Sequence, residues 1–237
     1  MDIRQQSRAI PGAVERAEVD EGLRSYMLRV YNYMASGLAL TGIVAYLVSQ
    51  SPQAMHAIFG TPLYWLVVLA PLGLVFFLSA RITRMQPTTA QALYWVYAGL
   101  MGVSMAFIFV VYTGDSIARV FFISAGSFAG LSLYGYTTRR DLSAYASFLM
   151  IGLIGVVLAS LVNLFFHSTA LQFALSVIGV LVFAGLTAYD TQSIKELYIA
   201  GDDAGVATRK SVMGALRLYL DFLNLFLLLL QLFGSRR

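Results

Sequence analysis

Seven stretches of nearly unbroken apolar residues dominate the chain, at about 30–49, 63–80, 91–112, 117–137, 143–166, 170–191 and 212–233. Each is close to the roughly 20 residues that a helix needs to cross a bilayer core. The links between them are short, apart from the one joining the last two stretches, and none leaves room for another domain. The pattern predicts an all-α polytopic membrane protein with seven transmembrane helices. Residues 1–29 read differently, as a polar cytoplasmic tail with an amphipathic helix over Ala13–Arg29 leading into a membrane domain of residues 30–237. The tail lacks the apolar core of a cleavable signal peptide, so insertion is expected to rely on the internal spans.

Composition agrees with the pattern. The chain is 59% hydrophobic and only 12% charged, with a mean hydropathy of +0.74, against roughly 25% charge in a soluble domain. It has no cysteine, which removes disulfides and thiol chemistry. The net charge of +4 is not gathered into a basic face, so no nucleic acid is expected as a partner. Its distribution is informative about sidedness. With the N-terminus inside, thirteen of the 16 Lys and Arg fall on inner segments, and only Arg119, Arg236 and Arg237 fall outside. The positive-inside rule therefore puts the N-terminus in the cytoplasm and the C-terminus outside.

Smaller signals point to packing. Gly126 and Gly130 form a small-residue ridge on the fourth span, which permits close helix approach. Asn163, Gln172, Asn224 and Gln231 read as interhelical hydrogen-bonding groups. Tyr26, Tyr31, Tyr33, Tyr64 and Trp65 suit the interfacial belts. His56 and His167 are expected in outer loops, without metal-ligand spacing.

The charges placed within or at the edges of spans are Asp190, Asp221, Arg217 and Arg81. Acids under lipid are costly and default to a functional hypothesis. Counting along the sixth and seventh spans puts Asp190 near the inner boundary and Asp221 in the inner half, about 12 Å apart in depth. Contact between them is compatible with that count but is not required by it. Arg217 lies four residues before Asp221 on one helix face, so an internal ion pair is the plainer account of Asp221. A wetted helix end is the plainer account of Asp190. If the two acids meet, they cannot both ionise cheaply and would share a proton. Loss of that proton calls for a cation, supplied by Arg81 or by a metal ion. Calcium takes six to eight oxygen ligands, so two Asp side chains, carbonyls and water would make a weak site suited to passage.

The stretch Gly185–Tyr198 (GLTAYDTQSIKELY) resembles the signature of the transmembrane Bax inhibitor motif, or Bax inhibitor-1-like, family. The resemblance extends to Leu23–Gly42, Ile82–Gly102 and Leu216–Gly234, and the short tail is similar to the bacterial branch. It implies a seven-helix fold in which the last helix is enclosed by the other six. It also implies a pH-sensitive calcium leak of the bacterial inner membrane, controlled by an aspartate on each of the last two helices. Asp190 matches the first of these and Asp221 the second. An arginine of the second helix, Arg81 or else Arg84, is implied as partner of the first acid. No cofactor is implied, calcium being the transported ion. Membrane lipid, calcium and a membrane protease or other membrane protein are the implied partners.

Two other readings compete. One is a non-transporting regulator that modulates a membrane protease or a stress response, with the polar tail Met1–Arg29 as its binding element. The other is an intramembrane aspartyl protease, which also places acids on neighbouring helices. Here the second acid follows Leu218-Tyr219-Leu220 rather than Gly-x-Gly, and no Pro-Ala-Leu motif occurs near the C-terminus. No enzyme is therefore expected.

Overall fold

A computed structural model describes residues 11–237, with side chains from Glu21 onward, so residues 1–10 of the expected tail lie outside the described residues. Among the described residues, seven helices are long and apolar enough to cross a membrane: Glu21–Ser49, Leu63–Arg84, Pro87–Val111, Gly114–Thr137, Leu142–Phe166, Thr169–Glu196 and Ala204–Phe233. Each overlaps one of the expected stretches. The chain is a seven-span, all-α polytopic membrane protein.

Local signals set the ends of these elements. Helix α1 (Pro11–Ser49) is continuous through residue 30. Ser51 and Pro52 start the short α2 (Pro52–Phe59), where the Ser51 hydroxyl accepts from the Ala54 N–H. That helix carries His56, which was expected in a loop. Helix α3 (Leu63–Arg81) tightens into a 3₁₀ turn, Ile82–Arg84. Pro87 then opens α4 (Pro87–Met105), since proline suits a first turn whose N–H groups lack partners. With the four-residue α5 (Ile108–Val111), α4 completes the third span. Thr113 caps α6 (Gly114–Thr137), and a 3₁₀ turn over Leu142–Tyr145 leads into α7 (Ala146–Phe166). Ser168 caps α8 (Thr169–Glu196), and Asp203 caps α9 (Ala204–Phe233). The N–H groups of Val206 and Gly205 bond the Asp203 carboxylate, which holds its pKa below the ordinary range.

Helix α9 is the axis of the bundle. In its most apolar window 67% is buried, against 28% or less in every other span. Its buried residues, among them Val212, Leu216, Leu218, Tyr219, Phe222 and Leu225, point in all directions around the helix. A helix with apolar residues on every side belongs in an interior. Helices α1, α4, α6 and α8 wall it directly, while α3 packs on α4 and α7 packs on α8.

Tyrosines stitch α9 to the first wall. The Tyr219 hydroxyl meets Thr41 Oγ1 at 2.7 Å, and Thr41 also donates to the Ala98 carbonyl at 2.9 Å. Tyr97 and Tyr94 stand edge-on to the Tyr219 ring, with centroids at 5.6 and 6.3 Å. Without a hydrophobic drive between helices in lipid, such contacts and hydrogen bonds are what hold spans together.

On the opposite wall α6 meets α8 through Gly135, where any Cβ would collide with the Ala188 backbone. Gly126 and Gly130, the expected contact ridge, have open space where a Cβ would be and face away from the bundle. Gly135→Ala is therefore expected to cost about 1–3 kcal/mol by overpacking, while Gly130→Ala is expected to be neutral. Thermal unfolding of the two variants in detergent checks this, and equal melting temperatures would contradict the α6–α8 contact.

A carboxyl pair between the last two helices

The α8 motif divides its residues between two faces. On the α6 face, Thr187 and Thr191 bond their own helix through the Phe183 and Thr187 carbonyls. Thr191 also meets Ser132 at 3.0 Å, and Ser132 meets Tyr31 of α1 at 2.6 Å. The Lys195 ammonium donates to the Tyr136 carbonyl at 2.9 Å and lies 5.2 Å from that residue's ring centroid. Buried Gln192 reaches the link between α6 and α7. It accepts from the Leu142 N–H at 2.8 Å and donates to the Arg140 carbonyl at 2.9 Å. Gly185 packs against Leu149 of α7. The polar letters of the motif thus pin α8 from one side and leave Asp190 facing α9.

The register of α8 on α9 follows from their contacts. A Cβ on Gly214 would lie 2.9 Å from Ile194, and one on Gly179 would lie 2.8 Å from Leu228. The Ser176 hydroxyl donates to Gln231 Oε1 at 2.9 Å. These antiparallel pairings put Asp190 level with Arg217 and about one turn, or roughly 5 Å, from the level of Asp221. The 12 Å offset expected from span boundaries is about halved, because the outer ends of the two helices are staggered: Ser176, two turns into α8, is level with Gln231 in the last turn of α9. The two carboxyls are close enough to feel one another's charge.

Arg217 NH1 lies 3.9 Å from Asp190 Oδ1. This pair replaces the internal Arg217–Asp221 ion pair, which does not form among the described residues. It also corrects the expected second-helix partner. Arg81 and Arg84 are exposed at the end of α3 and pair with no acid among the described residues. The physical reason is register: α3 flanks α4 and does not pack on α8, whereas Arg217 rides on the helix that Asp190 faces.

Exposure falls in steps across the site, from 39% at the Arg217 side chain to 17% at Asp190 and 4% at Asp221. Asp221 Oδ2 has no hydrogen-bond partner among the described residues. Solvent therefore reaches the site from the Arg217 side. Tyr26 stands there too, buried rather than in the interfacial belt, with its ring 5.7 Å from Tyr198 and close enough to Arg217 to feel its charge. Below it, Lys210 ties the α8–α9 link through Asp202 at 2.6 Å and the Leu197 carbonyl at 2.9 Å. Gln192 and Lys210 were not singled out from the sequence. Gln192 had a signal, since an amide deep in an apolar helix needs partners.

A polytopic helical membrane protein, built around a central span that carries an acid facing a second acid on the preceding span, is the class that fold and site define. The chain belongs to the Bax inhibitor-1-like family: the family model described as "Inhibitor of apoptosis-promoting Bax1" matches residues 23–237. It is 51% identical to the uncharacterized protein RP147 of Rickettsia prowazekii, over 92% of each chain. It is 46% identical to the inner membrane protein YbhL of Escherichia coli K12, over 91% of this chain and 94% of that one. An uncharacterized protein of Caulobacter vibrioides is 45% identical, over 98% and 96% of the two chains.

Gln192→Leu leaves the Leu142 N–H and the Arg140 carbonyl without partners, at about 1–3 kcal/mol for each group left buried. Trypsin is expected to cut at Arg139–Arg140 several-fold faster in this variant than in the parent, in detergent. An unchanged cleavage rate would show that Gln192 does not hold the link.

Proposed function

We propose that the protein is a calcium leak of the inner membrane whose opening is governed by the Asp190–Asp221 pair. The observation that carries this reading is the site itself: two acids on facing helices, near enough to interact, with one tethered cation at their solvent-facing side. An isolated Asp at the centre of a span costs about 3 kcal/mol. A pair of them is retained only with compensation, and a proton between the carboxyls together with Arg217 supplies it. In this resting state Arg217 occupies the place of an entering cation.

Opening then requires two events. The shared proton leaves, and Arg217 gives way to an ion from the side where it is exposed. Two carboxylates left without a proton attract a divalent cation strongly, because the surroundings screen little. Among the described residues no third acid or histidine joins the pair. Further oxygen ligands for calcium would come from carbonyls and water, so the ion is held weakly and passes on. Protons and calcium thus compete for the same oxygens, which makes the leak pH-dependent. Calcium is cargo here, and no resident cofactor is needed.

The distribution of Lys and Arg supports an N-terminus in the cytoplasm and a C-terminus outside. Arg217 then faces the cytoplasmic side of the pair. The burial of Asp221 speaks against an aspartyl protease, which needs both acids open to a substrate and a water.

Reconstituted protein in calcium-loaded vesicles tests the proposal. The parent is expected to show calcium flux that changes severalfold across a pH series. Asp190→Asn and Asp221→Asn are each expected to flatten that dependence. Identical flux–pH curves in the parent and both variants would remove the pair from the mechanism. A parent that passes no calcium would instead favour a non-transporting regulator acting through a membrane partner such as a protease.

A further inference from the structure

Helices α1 and α6 are neighbours around α9, bridged by the Tyr31–Ser132 hydrogen bond with a gap left between them. Helix α1 packs on α2, α4, α5 and α9, and α6 packs on α8 and α9. The gap is a lateral groove in two lobes of 520 and 540 Å³ that share Phe128, with Phe222 of α9 at its floor. Its walls are apolar, and Leu28 and Leu133 stand exposed at its rim. The Tyr31 hydroxyl is turned inward onto Ser132, so the wall presents the ring and keeps its polar atom satisfied.

One end of this groove is charged. Arg24 lines it from α1. Across from Arg24, Tyr136 lines it from α6, with the Lys195 ammonium over its ring. On the α4 side of α1, Arg24 also borders a second cleft that contains Arg29 and Glu21 beside Trp95. Among the described residues, Arg24 and Lys195 give this mouth its positive charge, at the end of the bundle that also carries Arg81, Arg84, Arg139 and Arg140.

We infer that the groove is a binding site for one anionic phospholipid, with an acyl chain between α1 and α6 and the phosphate at Arg24. Each lobe has roughly the volume of a single helical turn. That accommodates a hydrocarbon chain and excludes a transmembrane helix as the occupant. The positive mouth matches an anionic headgroup at the depth where headgroups lie, and a basic side chain near such a surface favours it about fivefold. The inference concerns binding alone and stands whether or not the protein conducts calcium.

Site-directed quenching tests it. Trp65→Phe and Trp95→Phe remove the native fluorescence, and Ala129→Trp places a probe in the groove wall; Leu133→Trp serves at the rim if the first variant folds poorly. Ile154→Trp, on the exposed face of α7, reports ordinary lipid contact. The probes are read in vesicles containing brominated phosphatidylglycerol or brominated phosphatidylcholine. The groove probe is expected to show about fivefold stronger association with the anionic lipid, and Arg24→Gln is expected to bring the ratio near one. The α7 probe is expected to show no preference. Equal quenching by the two lipids at the groove, or a preference that survives Arg24→Gln, would overturn the inference.

Discussion

A carboxyl under lipid must find its partner inside the protein, and this constraint orders the bundle. Asp221 is nearly inaccessible and sits on the most enclosed helix. Exposure rises from it through Asp190 to Arg217. The site is therefore a chain of three groups graded from buried to half-exposed, and none of the three is at ease without the others. Small residues make the contact possible. Gly214 and Gly179 let α8 and α9 approach closely on either side of the acids, where a side chain would force them apart.

The rest of the molecule holds this seam in place. Helix α8 is fixed on its far side by Gln192, Lys195 and the Gly135–Ala188 contact. Helix α9 is fixed on its far side by Tyr219, Thr41 and the tyrosines of α4. The two acids are thus held between two hydrogen-bonded walls. Helices α3 and α7 lie outside those walls.

Much of this was legible in the residues alone. Apolar length located all seven spans, because crossing a bilayer leaves little freedom in how long a helix is. Asp190 and Asp221 stood out for the same reason. Their relative level was not legible, since hydropathy marks where apolar sequence ends and not how neighbouring helices are staggered. The outer end of α8 stands about a turn beyond that of α9, and that stagger brought the two acids nearer in depth. The partner of Asp190 was hidden likewise. Arg217 and Asp221 share a helix face and looked self-sufficient, and only the α8–α9 register directs Arg217 to the neighbouring helix. Tyr26 read as an interfacial residue because its composition and position suit one, whereas its burial depends on where Tyr198 comes to rest.

The central claim is that Asp190 and Asp221 hold one proton between them in the resting protein. Infrared difference spectroscopy of the reconstituted protein at neutral pH measures it most directly, through the stretching band of a protonated carboxyl. The account expects such a band in the parent and its loss in Asp221→Asn, because Asp190 left alone ionises against Arg217. A parent without the band, or a band that persists unchanged in Asp221→Asn, would contradict the shared proton.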